Sequence, residues 1–318
     1  MQIGKFNLYK DELIKHKQEL LDKYRLALYQ LKPEIFENID FNSDKIFSFP
    51  PLINYVLYPD ENGDIDSLIF PFLNINSVCS IRSDFEGVIE IPSIGYWRGV
   101  ANTLYKFIKI DDEIKPIESG LKFVPYTYYN NIKISTKLTN YQNGPFLNHP
   151  KSIQGLVSEY STELVKALEI LDSHSDILYD LINTLQLEIQ LFDLPNQNSF
   201  ATTDFFFTAF LNVNSKFQSF VFFIDDIAHQ CGHILFFLLT LEVDEFIFGG
   251  KDLQLSDYFE DEERKAYSAF HGLFTYTCIL HALASSRSYH KIENNELLEI
   301  YARIGFYSNY SGYPDYLS

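Results

Sequence analysis

His229-Gln230-Cys231-Gly232-His233 lies inside the apolar run from Val221 to Leu241. On a helix, two histidines four residues apart stack one turn above the other and project from the same face. A pair of imidazoles so placed can hold one metal ion. In zinc peptidases with this spacing, a Glu follows the first His and serves as general base. Gln230 stands in that position, and an amide cannot take a proton from water. The motif keeps a metal clamp and lacks the base of hydrolysis. The competing reading is a pair of core histidines satisfied by hydrogen bonds, which suits the flanking Phe222, Phe223, Phe236 and Phe237. Against it stands the cost of burying two imidazoles in a Phe/Leu helix without partners.

Asp225 and Asp226 precede His229 by one turn. There a carboxylate can orient an imidazole from behind, or simply favour the start of the helix through its dipole. Asp225 cannot be a third ligand, because positions 225 to 233 span about 12 Å of helix axis. Metal bonds of about 2 Å do not converge from both ends of that span. The third donor must come from another element. His271, in the apolar segment Tyr267-Ser268-Ala269-Phe270-His271-Gly272, is the leading candidate. Glu242, Asp244 and Glu245, just beyond the motif helix, remain alternatives. Arg264 lies seven residues before His271. On a continuous helix the two share a face about 10 Å apart, and the guanidinium could fork onto the far carboxylate of a chelating ligand. The plainer role for Arg264 is an ion pair with the acidic run Glu260–Glu263. Tyr267 offers a hydroxyl on the same face. Cys231 and Cys278 read as packing.

The elements that must carry these residues are legible as texture. Leu13, Leu20, Tyr24, Leu28 and Leu31 recur at helical spacing from Asp11 to Leu31, and Pro33 ends the run. From Ile69 to Leu138, short β-branched and aromatic runs alternate with Gly, Pro and Asn, which predicts a small, mainly antiparallel sheet. Asn140–Pro150 reads as a connection. Ile153–Leu171 and Asp176–Leu191 are helix-patterned, Phe205–Val213 is strand-like, and further helices are expected at Phe220–Leu241, Glu262–Ser286 and Asn295–Ile304. Tyr307–Ser318 is expected to pack as irregular chain. The expected fold class is α+β and predominantly α-helical. Residues 1–150 form a helix plus a strand-rich region suited to peptide binding, and residues 151–318 a helical metal-binding region.

With 318 residues, 46% of them hydrophobic, the chain can bury a sizeable core. A formal net charge of −18 repels nucleic-acid phosphates and anionic membrane surfaces. Three scattered cysteines give no disulfide framework. Ile234–Leu241 is too short an apolar stretch to span a bilayer. Nucleic acid and membrane are therefore not expected as partners, and the expected compartment is the cytoplasm.

The order of these pieces resembles the HExxH-motif peptide-modification family, 2-oxoglutarate-dependent peptide β-hydroxylases of ribosomal peptide natural-product pathways. The resemblance covers roughly residues 153 to 286. It runs from a helix pair to Asn198-Ser199-Phe200-Ala201 and the strand Phe206–Asn212, then to the His-x-x-x-His helix, and on to Arg264 followed by His271-Gly272-Leu273-Phe274. It implies Fe(II) held by His229, His233 and His271, and 2-oxoglutarate as co-substrate anchored by Arg264 with Tyr267 beside it. The substrate it implies is a peptide with a leader segment. The departure is Gln230 in place of Glu. An oxygenase removes hydrogen without a protein base, so this change bears less on it than on a zinc hydrolase. The alternatives are a zinc metallopeptidase-like hydrolase and a non-catalytic helical binding protein with a core His pair.

Overall fold

The helix expected from Asp11 reaches back to Ile3 in the computed structural model, which describes residues 3–59, 65–135, 153–214, 218–243, 247, 249–260 and 263–310. This helix, α1 (Ile3–Leu31), buries Leu13, Leu20, Leu21, Tyr24 and Leu28. Leu31 ends on the outside at 38% exposure, past the last turn that faces the core. Three short helices follow: α2 (Asp44–Phe47), α3 (Pro50–Leu57) and α4 (Ile65–Ile69).

The strand-rich region resolves into β1 (Ser77–Arg82), β2 (Val88–Ile91), β3 (Gly95–Arg98), β4 (Leu104–Ile110), β5 (Glu113–Pro116), β6 (Lys122–Pro125), β7 (Thr127–Tyr129) and β8 (Ile132–Ser135). The order β1-β4-β5 makes one antiparallel sheet and β2-β3-β6 another. Between them Phe70, Ile81, Ile89, Ile91, Phe107 and Ile114 form a small core of their own. The connection read at 140–150 lies outside the described residues.

The second half begins with α5 (Ile153–His174) and α6 (Asp176–Leu185). The helix expected to continue to Leu191 stops instead at Gln186, whose φ of 56° and ψ of 48° put it in the left-handed region. The chain then turns into β9 (Glu188–Phe192), every residue of which is buried. A strand covered on both faces shows no alternation, so its apolar run cannot be told from helix by periodicity. After β10 (Phe200–Ala201) comes β11 (Thr208–Asn212), also buried throughout. The strands assemble in the order β10-β11-β9-β8-β7, with β8, β9 and β11 parallel and the two outer pairs antiparallel. This sheet, and the large core beneath it, take residues from both sides of position 150.

Three long helices complete the molecule: α7 (Phe220–Leu239), α8 (Ala266–Ser286) and α9 (Asn294–Tyr310). The last helix runs past Ile304, so Tyr307 is helical, contrary to the irregular chain expected there. Residues 311–318 lie outside the described set. Helix makes up 53% of the structure and strand 20%, which gives the α+β, mainly helical class that the pattern predicts.

Among the described residues, α7 is the one helix long and apolar enough to cross a membrane. It is instead wrapped by α1, α5, α8, α9 and the five-stranded sheet, and 78% of its most apolar window is buried inside the protein.

Candidate functional site

Helix α7 starts at a side-chain cap: Ser219 Oγ accepts from the Phe222 amide at 3.2 Å. Such a cap satisfies one of the amides that the first turn leaves unpaired. Along the helix only Phe222, His229, His233, Phe237 and Leu239 escape full burial. The first four follow each other at intervals of seven, four and four, so they form a single stripe. The histidines thus occupy the half-open face of an otherwise buried helix.

Helix α8 supplies the opposite wall. Gly232, in the middle of the motif, makes the approach possible, because a Cβ there would lie 3.3 Å from Cys278 Cβ and 3.5 Å from Thr275 Cα. The close seam sets His271 of α8 against His233 of α7. His233 Nδ1 and His271 Nε2 are 2.5 Å apart, and their rings meet edge to face with centroids at 4.5 Å. The rings of His229 and His233 lie 4.7 Å apart, tilted by 32°. Phe236 stacks on His271 at 4.7 Å and 16°, while Phe237 lies 5.1 Å from it. Tyr276 of α8 closes the side nearest His229, at 6.4 Å.

All three imidazoles are pushed toward the neutral form. Burial, with His229 and His271 adding to it, brings His233 down to about 3. Burial and His229 bring His271 to about 4. Burial lowers His229 as well, against the opposing field of Asp225. A neutral imidazole is the form that ligates a metal, so the chemistry of this donor set suits iron or zinc. The geometry differs from a ready cage. His233 and His271 are bonded to each other, and among the described residues no group of three or more His, Cys, Asp or Glu side chains is disposed to hold a metal ion.

The carboxylates beside the motif do not orient the histidines by hydrogen bonds. Asp225, 3% exposed, accepts from Arg303 Nη1 at 2.6 Å and from the Tyr307 hydroxyl at 2.9 Å. Both donors lie one turn apart on α9. Asp226 accepts from Ser199 Oγ at 2.5 Å and from Gln230 Nε2 at 3.3 Å, and the Asn212 amide donates to the same Ser199 oxygen at 2.8 Å. Burial raises Asp226 to about 7, against the pull of Ser199 and Gln230. Gln230 is therefore a buried donor to Asp226, and its Oε1 has no hydrogen-bond partner among the described residues. Arg303 and Tyr307 were not among the residues expected from sequence. Arg303 lies inside the helix expected at Asn295–Ile304 and Tyr307 just beyond it, and residue order carries no signal that this helix packs against Asp225.

The remaining sequence-predicted residues are less well placed. Helix α8 begins at Ala266, so Arg264 precedes it in a bend, exposed, with its carbonyl accepting from the Leu255 amide at 3.1 Å. The helical spacing assumed between Arg264 and His271 does not hold. The Tyr267 hydroxyl is 3.2 Å from Thr240 Oγ1, and its ring packs 5.3 Å from that of Phe236. Glu242 pairs with Lys23 at 2.6 Å on the surface. Asp244 and Glu245 lie outside the described residues. Cys231 is fully buried and Cys278 packs at Gly232, as expected of core thiols.

No protein-family model matches this sequence, and no curated protein is significantly similar to it.

Proposed function

We propose that this chain is a non-haem Fe(II)- and 2-oxoglutarate-dependent oxygenase that hydroxylates a side chain, at the β-carbon, of a peptide in the cytoplasm. One observation carries the reading: His229 and His233 lie side by side on the one face of α7 that the core leaves open, and His271, 38 residues on from His233, packs against the second of them from α8. His229, His233 and His271 would hold the iron. Bound there with 2-oxoglutarate, Fe(II) supplies the O₂-dependent oxidation of an unactivated C–H bond. Phe236, Phe237 and Tyr276 keep water from the imidazoles, which holds them neutral and available as donors. Gln230 cannot serve as a hydrolytic base, since it is buried and donates to Asp226, and this argues against the peptidase reading. The co-substrate carboxylate falls to Arg264 on motif order alone.

Two features suit a peptide substrate. The net charge of −18 attracts a basic leader segment. Strand β10 ends the five-stranded sheet beside α7, and an edge strand can accept an extended peptide.

The test is anaerobic loading of the purified chain with Fe(II), metal counting, and measurement of succinate when 2-oxoglutarate and O₂ are added. About one iron per chain and O₂-dependent succinate are expected, both lost in His229→Ala, His233→Ala and His271→Ala. A second reading has its own observation. The 2.5 Å contact between His233 and His271 satisfies both rings without a metal, as in an interhelical hydrogen bond of a binding protein. On that reading the same variants lose stability and the wild-type chain takes up no iron.

A further inference from the structure

Helix α9 is apolar on two sides. The inner side is that of a core helix: Ile300 is buried, and Ile304 and Tyr307 pack half-buried against the large core. On the outer side Leu298 is 69% exposed, Tyr301 50% and Phe306 55%, with Ala302 and Gly305 exposed between them. Positions 298, 301, 302, 305 and 306 have the spacing of one helical stripe. A helix apolar on opposite sides is the pattern of one that is covered on both.

The charged side chains of α9 are turned onto partners within the chain. Glu296 accepts from Lys166 Nζ at 2.8 Å, Glu299 accepts from Ser219 Oγ at 2.8 Å, and Arg303 Nη1 donates to Asp225 at 2.6 Å. Helix α8, packed against α9, contains no Asp, Glu, Lys or Arg from Ala266 to Ser286, although Ser268, Leu273 and Thr277 are exposed. In a chain that is 21% charged and carries a formal net charge of −18, an outer stripe without charge is the exception.

We propose that the outer stripe of α9 is the interface of a two-fold symmetric dimer of this chain. Charge selects the occupant. Two copies at −18 repel wherever acidic surfaces meet, and on this stripe they can touch without bringing like charges together. Shape agrees. A two-fold contact requires one patch to fit itself, and the stripe carries both halves of the fit. Ala302 and Gly305 make a low centre, where a Cβ on Gly305 would meet nothing within 4 Å, and Leu298, Tyr301 and Phe306 stand around it. With the axis at Ala302 and the stripes antiparallel, Leu298 of each copy lies beside Phe306 of the other. Helices α8 and α9, each about 25–30 Å long and about 10 Å wide, outline on the order of 500 Å². Accessible surface over side-chain ridges exceeds the outline, which brings the face near the ~800 Å² that each partner gives to a standard interface. The surface is separate from the histidine cluster and does not depend on its reading.

The experiment is analytical ultracentrifugation of the full chain at concentrations up to about 50 µM. A dimer with a Kd of about 10 µM or below is expected. It should tighten by about threefold or more as NaCl rises from ~0.05 to ~0.5 M, because screening relieves the repulsion between acidic surfaces while the contact itself holds no ion pair. Leu298→Glu and Ala302→Glu, both at exposed positions, should each weaken it by about tenfold or more with the circular dichroism of the folded chain retained. Ala302→Cys, at the axis, should give a covalent dimer on oxidation, and Lys15→Cys, exposed on α1, should not. A monomer at about 50 µM, a dimer that salt weakens, or a dimer unchanged in both glutamate variants overturns the proposal, and a monomer assigns the stripe to a different partner. If the glutamate variants do not fold, the cysteines decide, and cross-linking no greater at 302 than at 15 overturns the proposal.

Discussion

His233 Nδ1 and His271 Nε2 stand 2.5 Å apart across the seam of α7 and α8. One proton suffices for that contact, and charging both rings would set two positive charges side by side in a half-buried place. Both rings accordingly stay neutral down to about 3 for His233 and about 4 for His271, against an ordinary value of 6.5.

In the metal-free protein this makes stability depend on pH. Below pH 6.5 the unfolded chain takes protons on these rings while the folded chain does not. Stability from the pair is therefore fully present above that value and declines as pH falls toward 4, by about 1.4 kcal/mol per pH unit and ring. Asp226, raised to about 7, acts in the opposite sense over the same window. The comparison that isolates the rings is urea unfolding of wild type against His233→Gln/His271→Gln at about pH 7.5 and about pH 5. The wild type should lose more on acidification. Equal losses would mean that the rings are not desolvated.

Gly232→Ala sets helix propensity against packing. Alanine gains about 1 kcal/mol in a helix interior, yet its methyl would lie 3.3 Å from Cys278 Cβ, an atom fixed to the α8 backbone. The helices must part slightly. The expected outcome is a net loss of about 1 kcal/mol and, in NMR, a weakened proton-sharing signal between His233 and His271. A gain in stability with that signal intact would show that the seam is looser than described.

Arg303→Met leaves Asp225 buried with Tyr307 as its remaining donor. Removing one partner of a buried ion pair typically costs about 3 kcal/mol or more, discounted here to about 2 because the Arg303 side chain is 30% exposed. Asp225→Asn, which removes the buried charge as well, should cost less. Chemical denaturation of the two variants gives the ranking, and a harsher effect of Asp225→Asn would contradict it.

Gln230→Glu restores the residue that a zinc peptidase uses but places it 3.3 Å from Asp226. Two buried carboxyls at that distance share one proton. The variant should hydrolyse no fluorogenic peptide with Zn(II) and should be destabilised by about 1–3 kcal/mol near pH 8, with recovery as pH falls and the shared proton is retained. Peptidase activity in the variant would show that the site was built for hydrolysis.

Helix texture on α1 and strand texture between Ile69 and Leu138 follow from residue order, because one-face burial imposes a period that can be counted. The half-open stripe on α7 does not, since Phe222 and Phe237 on it are as apolar as the buried residues around them. The His229/His233 pair was legible, since four residues on a helix fix a direction. Strand β9 was not, because Glu188–Phe192 is covered on both sides and shows no period. Nor was the placing of Arg264, which depended on where α8 starts. That boundary is set by the Gln254–Lys265 bridge rather than by local propensity.

What residue order determined by itself was the chemistry on offer: two imidazoles on one helix face, an amide where a base would stand, and an acidic surface. Only the tertiary structure decided which groups meet. Glycine at 232 lets two helix backbones close on each other, and that approach turns His271 from a candidate into the partner of His233. The packing of α9 and of the chain before β10 commits Asp225 to Arg303 and Asp226 to Ser199. Partners of buried polar groups come from elements distant in the chain, and burial penalties choose among them only once the chain has folded.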